Sequence, residues 1–173
     1  MINKINSKKL FSEIYEDTGI RINSIADIKK ILLESEKTEL RSSMAYFIAE
    51  YKIIELQQDV VDILCSPISK GNDGTLIYAS YQFPCSQYFK VYVGLMIERD
   101  FHSVLESYKA IRKCRNVSLE DLEKAKGALE LWHYFHTFPT FSNIEVVSDK
   151  IDLIHDIWHY LNRRLIREKK HPK

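Results

Sequence analysis

The sequence predicts an all-α fold built from stacked antiparallel helix pairs, and two observations favour it. Apolar residues recur at spacings of three and four along most of the 173 residues, which is the period of an amphipathic helix. Only five glycines and four prolines are present, too few for the many tight turns of a β-sandwich or a barrel. Within the same fold class, the alternative is an irregular helical bundle.

Capping and loop residues predict the elements in the first half of the chain. Ser24 is a predicted N-cap, and Asp27 lies in the first turn after it, where a carboxylate stabilises the helix dipole. The stretch PISKGNDG at 67–74 combines proline, glycine, asparagine and aspartate and is the clearest loop. Helices are predicted within 1–22, from 25, from about 38 and over 52–65.

The second half of the chain is predicted to continue as helices. These cover about 75–83, 87–98, 100–114, 119–136 and 145–168, with a basic tail at 169–173. The segment 87–98 contains YFKVYVGLMI, whose β-branched and aromatic residues are also compatible with a strand. We predict a helix there because both flanking segments are helical and no partner strand is evident.

Composition and charge exclude several classes of protein. With 45% hydrophobic and 28% charged residues, the chain is expected to form one helical domain over 1–173. A net charge of +1 argues against nucleic acid as the partner. Three cysteines without CxxC spacing predict neither a disulfide framework nor a zinc site. No signal peptide and no membrane span are predicted, so the expected localisation is cytoplasmic, without membrane contact.

An internal repeat is visible when three segments are aligned. They are Leu40–Glu50, Gly74–Pro84 and Val104–Cys114, in which Ala45, Ala79 and Ala110 coincide. A small residue at such a position allows close approach of a neighbouring helix. Each first helix is followed by a predicted second helix, at about 52–65, 87–98 and 119–134.

The stretch DGTLIYASYQFPCSQYFKVYVGLMIERDFHSVLESYKAI at 73–111 resembles the divergent HEAT-like (armadillo-type) helical repeats of small bacterial proteins. The resemblance covers about residues 38–134. It implies a helical solenoid that binds another protein and performs no chemistry. It also implies an immunity protein, which binds and neutralises a bacterial toxin, possibly a nuclease.

Paired histidines give the alternative function, a metal-dependent hydrolase. His155 and His159 are four residues apart, which is metal-ligand spacing on a helix, although Asp156 stands where the HExxH motif has glutamate. His133 and His136 could complete a four-ligand site. The competing interpretation is that these histidines pack among aromatic residues. No motif of a nucleophile or a phosphate-binding loop is present, so we predict no catalytic residue, no metal and no cofactor.

The predicted partner-binding surface is acidic. Residues 34–66 carry three basic and seven acidic residues, and Glu55, Asp59 and Asp62 recur along one side of the predicted 52–65 helix. Such a side would attract a basic protein, such as a toxin that binds nucleic acid. Tyr81 and Tyr88 are the predicted aromatic anchors of the contact.

Overall fold

A computed structural model describes residues 6–69, 73–137 and 148–170, without the side chains of residues 136, 137 and 148. Every regular element among these residues is helical, which confirms the predicted all-α class for this part of the chain. The α-helices are α1 (Ser7–Thr18), α2 (Ile25–Glu34), α3 (Thr38–Glu50), α4 (Gln57–Leu64), α5 (Asp73–Ser80), α6 (Phe89–Glu98), α7 (Phe101–Lys113), α8 (Leu119–Thr137) and α9 (Ser148–Lys170). Within the described ranges, none of them has the length and apolar character of a membrane span.

The chain forms two compact units, Met1–Cys85 and Ser86–Lys173, where the sequence predicted one helical domain. The first unit has ten basic and twelve acidic residues, and the second has fifteen and twelve. The units therefore carry net charges of −2 and +3. The net charge of the whole chain, +1, conceals this difference. The sign of the charge on each unit affects which partners it attracts.

The first unit packs α2 against α3 and α4, α1 against α3, and α5 against both α3 and α4. Its core consists of apolar side chains from all five helices, including Leu10, Ile14, Ile28, Leu32, Met44, Ile48, Leu64 and Ile77. The predicted start of α2 is confirmed: Ser24 accepts from the Asp27 backbone N–H, and the Asp27 carboxylate accepts from the Ser24 N–H in return.

Polar contacts also connect the helices of the first unit. The buried Gln57 side chain donates to the carbonyl oxygens of Ser80 and Pro84, at 2.9 and 3.0 Å, and so attaches α4 to the end of α5. The Tyr51 hydroxyl donates to Glu13 at 2.6 Å. Loss of hydration and this bond raise the pKa of Tyr51 to about 12, and the same bond lowers the pKa of Glu13.

The second unit packs α6 against α7 and α8, and α9 against α7 and α8. The long helix α9 also binds the carboxyl ends of two other helices. The Lys150 ammonium donates to the carbonyl oxygens of Ile97 and Arg99 at the end of α6, at 3.1 and 2.7 Å. Arg164 binds backbone carbonyls just beyond α7 in the same way. Cations at these positions compensate the negative ends of the helix dipoles.

The ambiguous segment 87–98 is helical from Phe89 to Glu98, as predicted. Phe89, Tyr92, Val93 and Met96 recur at helical spacing and are all buried. This buried face follows a period of three and four. Its tertiary packing therefore outweighs the strand propensity of the individual residues.

The three aligned alanines, Ala45, Ala79 and Ala110, are each fully buried. The helix pairing, however, differs from the pairing that the alignment predicts. In the second unit, α6 packs extensively on α7 and α8 on α9, whereas the predicted pair α7 and α8 makes at most slight contact. A stack of helices is consistent with the structure, and the solenoid repeat stays a prediction.

Leucine at Ala45, Ala79 or Ala110 is expected to lower the free energy of unfolding by roughly 1–3 kcal/mol. Each methyl group is fully buried, so a larger side chain must displace its neighbours. The same change at Ala26, which is exposed on α2, is the control and is expected to leave stability nearly unchanged. Thermal unfolding of the four variants measures the difference. Equal melting of all four would show that the alanines are not close-packing positions.

Candidate functional site

The predicted acidic surface lies on α4 and on the short 3-10 turn, Ile54–Leu56, that leads directly into it. Glu55 is in that turn, not in the helix, and is exposed. Asp62 is exposed on α4, and Asp59 is partly buried. The structure thus places the three carboxylates on consecutive turns, but only two of them face solvent freely.

One premise of the acidic surface requires correction, because its charges are partly compensated. The Lys29 ammonium of α2 lies 2.9 Å from an Asp59 carboxylate oxygen. The Gln58 amide donates to Asp62 at 2.7 Å. The three charges therefore repel one another less than the sequence suggested, and Asp59 serves the packing of α2 on α4. Of the three carboxylates, the exposed Glu55 and Asp62 are the two that a partner could contact.

The two predicted aromatic anchors also require correction. Tyr81 is 5% exposed and Tyr88 is 9% exposed, so neither ring is available on the surface. Tyr81 packs edge-to-face against Tyr78, with ring centroids 5.7 Å apart. Tyr81 directly follows the end of α5, and Tyr88 is the N-cap residue directly before α6, two positions where the sequence alone suggested an exposed turn. Both rings are packed in the cores of their units instead.

An apolar concavity lies between α8 and α9, and we call it the α8–α9 groove. Its volume is about 430 Å³. Its lining consists of Leu129, Glu130, His133, Tyr134, Ile154, His155 and Trp158. A concave, mostly apolar surface with a few polar groups is typical of a binding site. Among its lining residues, only His133 and His155 were candidate ligands in the sequence, for a metal, and no protein contact was predicted here.

Trp158 is held in a fixed position in the wall of the α8–α9 groove. Its indole N–H donates to Glu130 of α8 at 3.0 Å, and Glu130 also binds Lys126 at 2.9 Å. The Lys126 ammonium lies 5.5 Å from the centre of the indole, over its face. The ring is stacked with His155 at 6.3 Å. The hydrogen bond from Lys126, and to a lesser extent that from Trp158, lowers the pKa of Glu130.

An apolar strip adjoins the groove on the last turns of α8. Leu131, Tyr134 and Phe135 are 61%, 55% and 49% exposed. They are spaced at three and four residues, so they share one side of the helix. Tyr134 belongs to both the strip and the groove lining. Together the groove and the strip form a continuous apolar surface on the second unit, of the kind that marks interaction sites.

No protein family, no curated protein and no solved structure matches this chain. The residues and contacts of this chain, and the resemblance of residues 73–111 to HEAT-like repeats, are therefore the basis for a functional proposal.

The predicted histidine pair lies on α9 at the edge of the groove. The Nε2 atoms of His155 and His159 are 3.2 Å apart, so one ring donates to the other. The His133 ring is 6.1 Å from that of His155, and the His136 side chain lies outside the described residues. Two imidazoles at this separation can hold one metal ion together. Among the described residues, however, no group of three or more suitable ligands occurs, whereas a hydrolytic zinc site uses three protein ligands.

Proposed function

We propose that this chain is a non-enzymatic protein-binding module of the toxin-immunity kind, and that the α8–α9 groove with the apolar strip is its contact surface. The exposed strip on α8, beside a groove whose tryptophan is already fixed, is the observation that supports this proposal. Rigid aromatic side chains next to a pocket are the usual anchors of protein interfaces. The toxin as partner follows from the resemblance to small HEAT-like proteins.

Two features favour a protein over a small molecule as the occupant of the groove. The polar groups of Glu130 and Trp158 already bind each other, so they offer little to a polar ligand. The apolar surface also continues beyond the groove over Leu131 and Phe135, which are exposed on the same helix. An apolar segment of a partner would cover both parts and remove them from water.

Growth rescue tests the proposal in cells. Each gene that neighbours this one in its genome is expressed alone in a test host, with and without this chain. We expect one neighbouring product to be toxic and this chain to restore growth, while the variant Tyr134→Ala/Phe135→Ala restores little. The control variant Leu119→Ala/Ile166→Ala removes side chains that are 41% and 49% exposed, outside the groove and the strip, and should rescue fully. A chain that protects against none of the products would contradict the proposal.

Charge reversal tests the acidic surface separately. The variant Glu55→Lys/Asp62→Lys is expected to slow association with a basic partner by about tenfold at low salt and to weaken the salt dependence of that rate. Asp59 is left intact because it binds Lys29. The control Glu16→Lys/Asp17→Lys changes the net charge equally at exposed positions of α1, outside the acidic segment 34–66. Stopped-flow measurements that give both variants the same association rate would exclude a local role for Glu55 and Asp62.

A further inference from the structure

A second cavity in the second unit is lined mainly by arginines, and we call it the arginine pocket. It lies where the end of α7 meets α9 and has a volume of about 600 Å³. Arg112, Arg115, Arg164 and Arg167 line it, together with Asn116, Tyr160 and Glu168. Four arginines thus line one space, and Glu168 is the one acidic residue in its lining. Such a group of like charges is favourable only when something compensates it.

Arg164 is the fixed base of the arginine pocket. It is only 4% exposed, and its two terminal nitrogens donate to the carbonyl oxygens of Cys114 and Arg115. Its Nε atom is buried and has no hydrogen-bond partner. Within the described ranges no carboxylate pairs with Arg164. A buried guanidinium without a counter-charge is costly, so this residue favours an anion nearby.

Arg112 in the lining of the pocket is held in place as well. Its guanidinium carbon lies 5.5 Å from the centre of the Tyr108 ring and 5.8 Å from that of Tyr160. It also donates to the Tyr108 hydroxyl at 3.1 Å. These contacts orient the planar group and leave other N–H donors for a ligand.

The remaining charges of the pocket are weakly compensated. Arg115 is exposed, and Arg167 is 3.8 Å from Glu168, at the far limit of an ion pair. A single carboxylate therefore faces four cations. An anion would therefore gain binding free energy in two ways, from hydrogen bonds with the guanidinium groups and from relief of the repulsion between them.

We propose that the arginine pocket binds a dianionic phosphate group, either free phosphate or the monoester of a small molecule. Guanidinium forks match the spacing of phosphate oxygens and bind them in pairs. The cavity is larger than a phosphate ion, and the Tyr160 ring in its wall offers a flat apolar surface for the rest of an ester. This site lies on the second unit and is independent of the proposed protein contact at the α8–α9 groove.

Isothermal titration of the full chain tests this site with inorganic phosphate, AMP and adenosine at one ionic strength. We expect saturable binding of phosphate or AMP and none of adenosine. Tighter binding of AMP would identify a monoester as the ligand, and equal binding would identify free phosphate. In the variant Arg112→Gln/Arg115→Gln the association constant should fall by about tenfold or more.

The control Arg163→Gln/Lys170→Gln removes two charges from exposed positions of α9 that do not line the pocket, and it should bind like the wild type. Circular dichroism checks that each variant is folded, and Arg167→Gln replaces the double variant if that one does not fold. Absence of saturable binding would overturn the proposal, and so would binding that both double variants retain equally.

Discussion

Alanine at Tyr92 is expected to lower the free energy of unfolding of the second unit by about 3–5 kcal/mol, the largest effect that we predict. Tyr92 is fully buried in the middle of α6, among the largest side chains of the core. Removal of its ring leaves a cavity that the helices α7 and α8 cannot easily fill. Urea unfolding followed by circular dichroism measures the loss.

Tyr134→Ala is the matched control for the stability measurement, because the same substitution occurs at a side chain that is 55% exposed in the same unit. Its effect on stability should be small, within the range of ordinary surface substitutions. If both variants unfold at the same urea concentration, α6 is not part of the core that the structure describes.

Loss of the apolar strip is expected to have the largest effect on binding. The variant Tyr134→Ala/Phe135→Ala should weaken the proposed complex with a toxin by about thirtyfold or more, mainly through faster dissociation. Both rings are about half exposed before binding, so their burial supplies much of the favourable free energy of binding. Surface plasmon resonance gives the two rates, and Leu119→Ala/Ile166→Ala is the control. An unchanged dissociation rate would show that the strip lies outside the contact.

Local features of the fold were predictable because they depend on nearby residues. The capping box of Ser24 and Asp27 and the helical period of Phe89, Tyr92 and Met96 are both readable from spacing alone. The alternative of a strand over 87–98 is wrong, because the buried side chains follow a period that only a helix satisfies.

The candidate site was less predictable because it depends on contacts between distant residues. Lys29 neutralises Asp59 from 30 positions away, and Glu130 binds Trp158 from another helix. The burial of Tyr81 is a result of packing, not of local sequence. The run LWHYF at 131–135 was a usable signal, because consecutive apolar residues point to different sides of a helix. Trp132 is buried, whereas Leu131, Tyr134 and Phe135 are exposed.

The number of equivalents needed to neutralise the partner distinguishes a binding module from an enzyme most directly. The proposed toxin partner, once purified, is mixed with increasing amounts of this chain, and the remaining activity of the toxin is measured after a long incubation. A module that acts by binding must be present in stoichiometric amounts, so activity should fall in proportion and vanish only at a fixed whole-number ratio. Complete neutralisation by a small fraction of one equivalent would show turnover and would contradict the account.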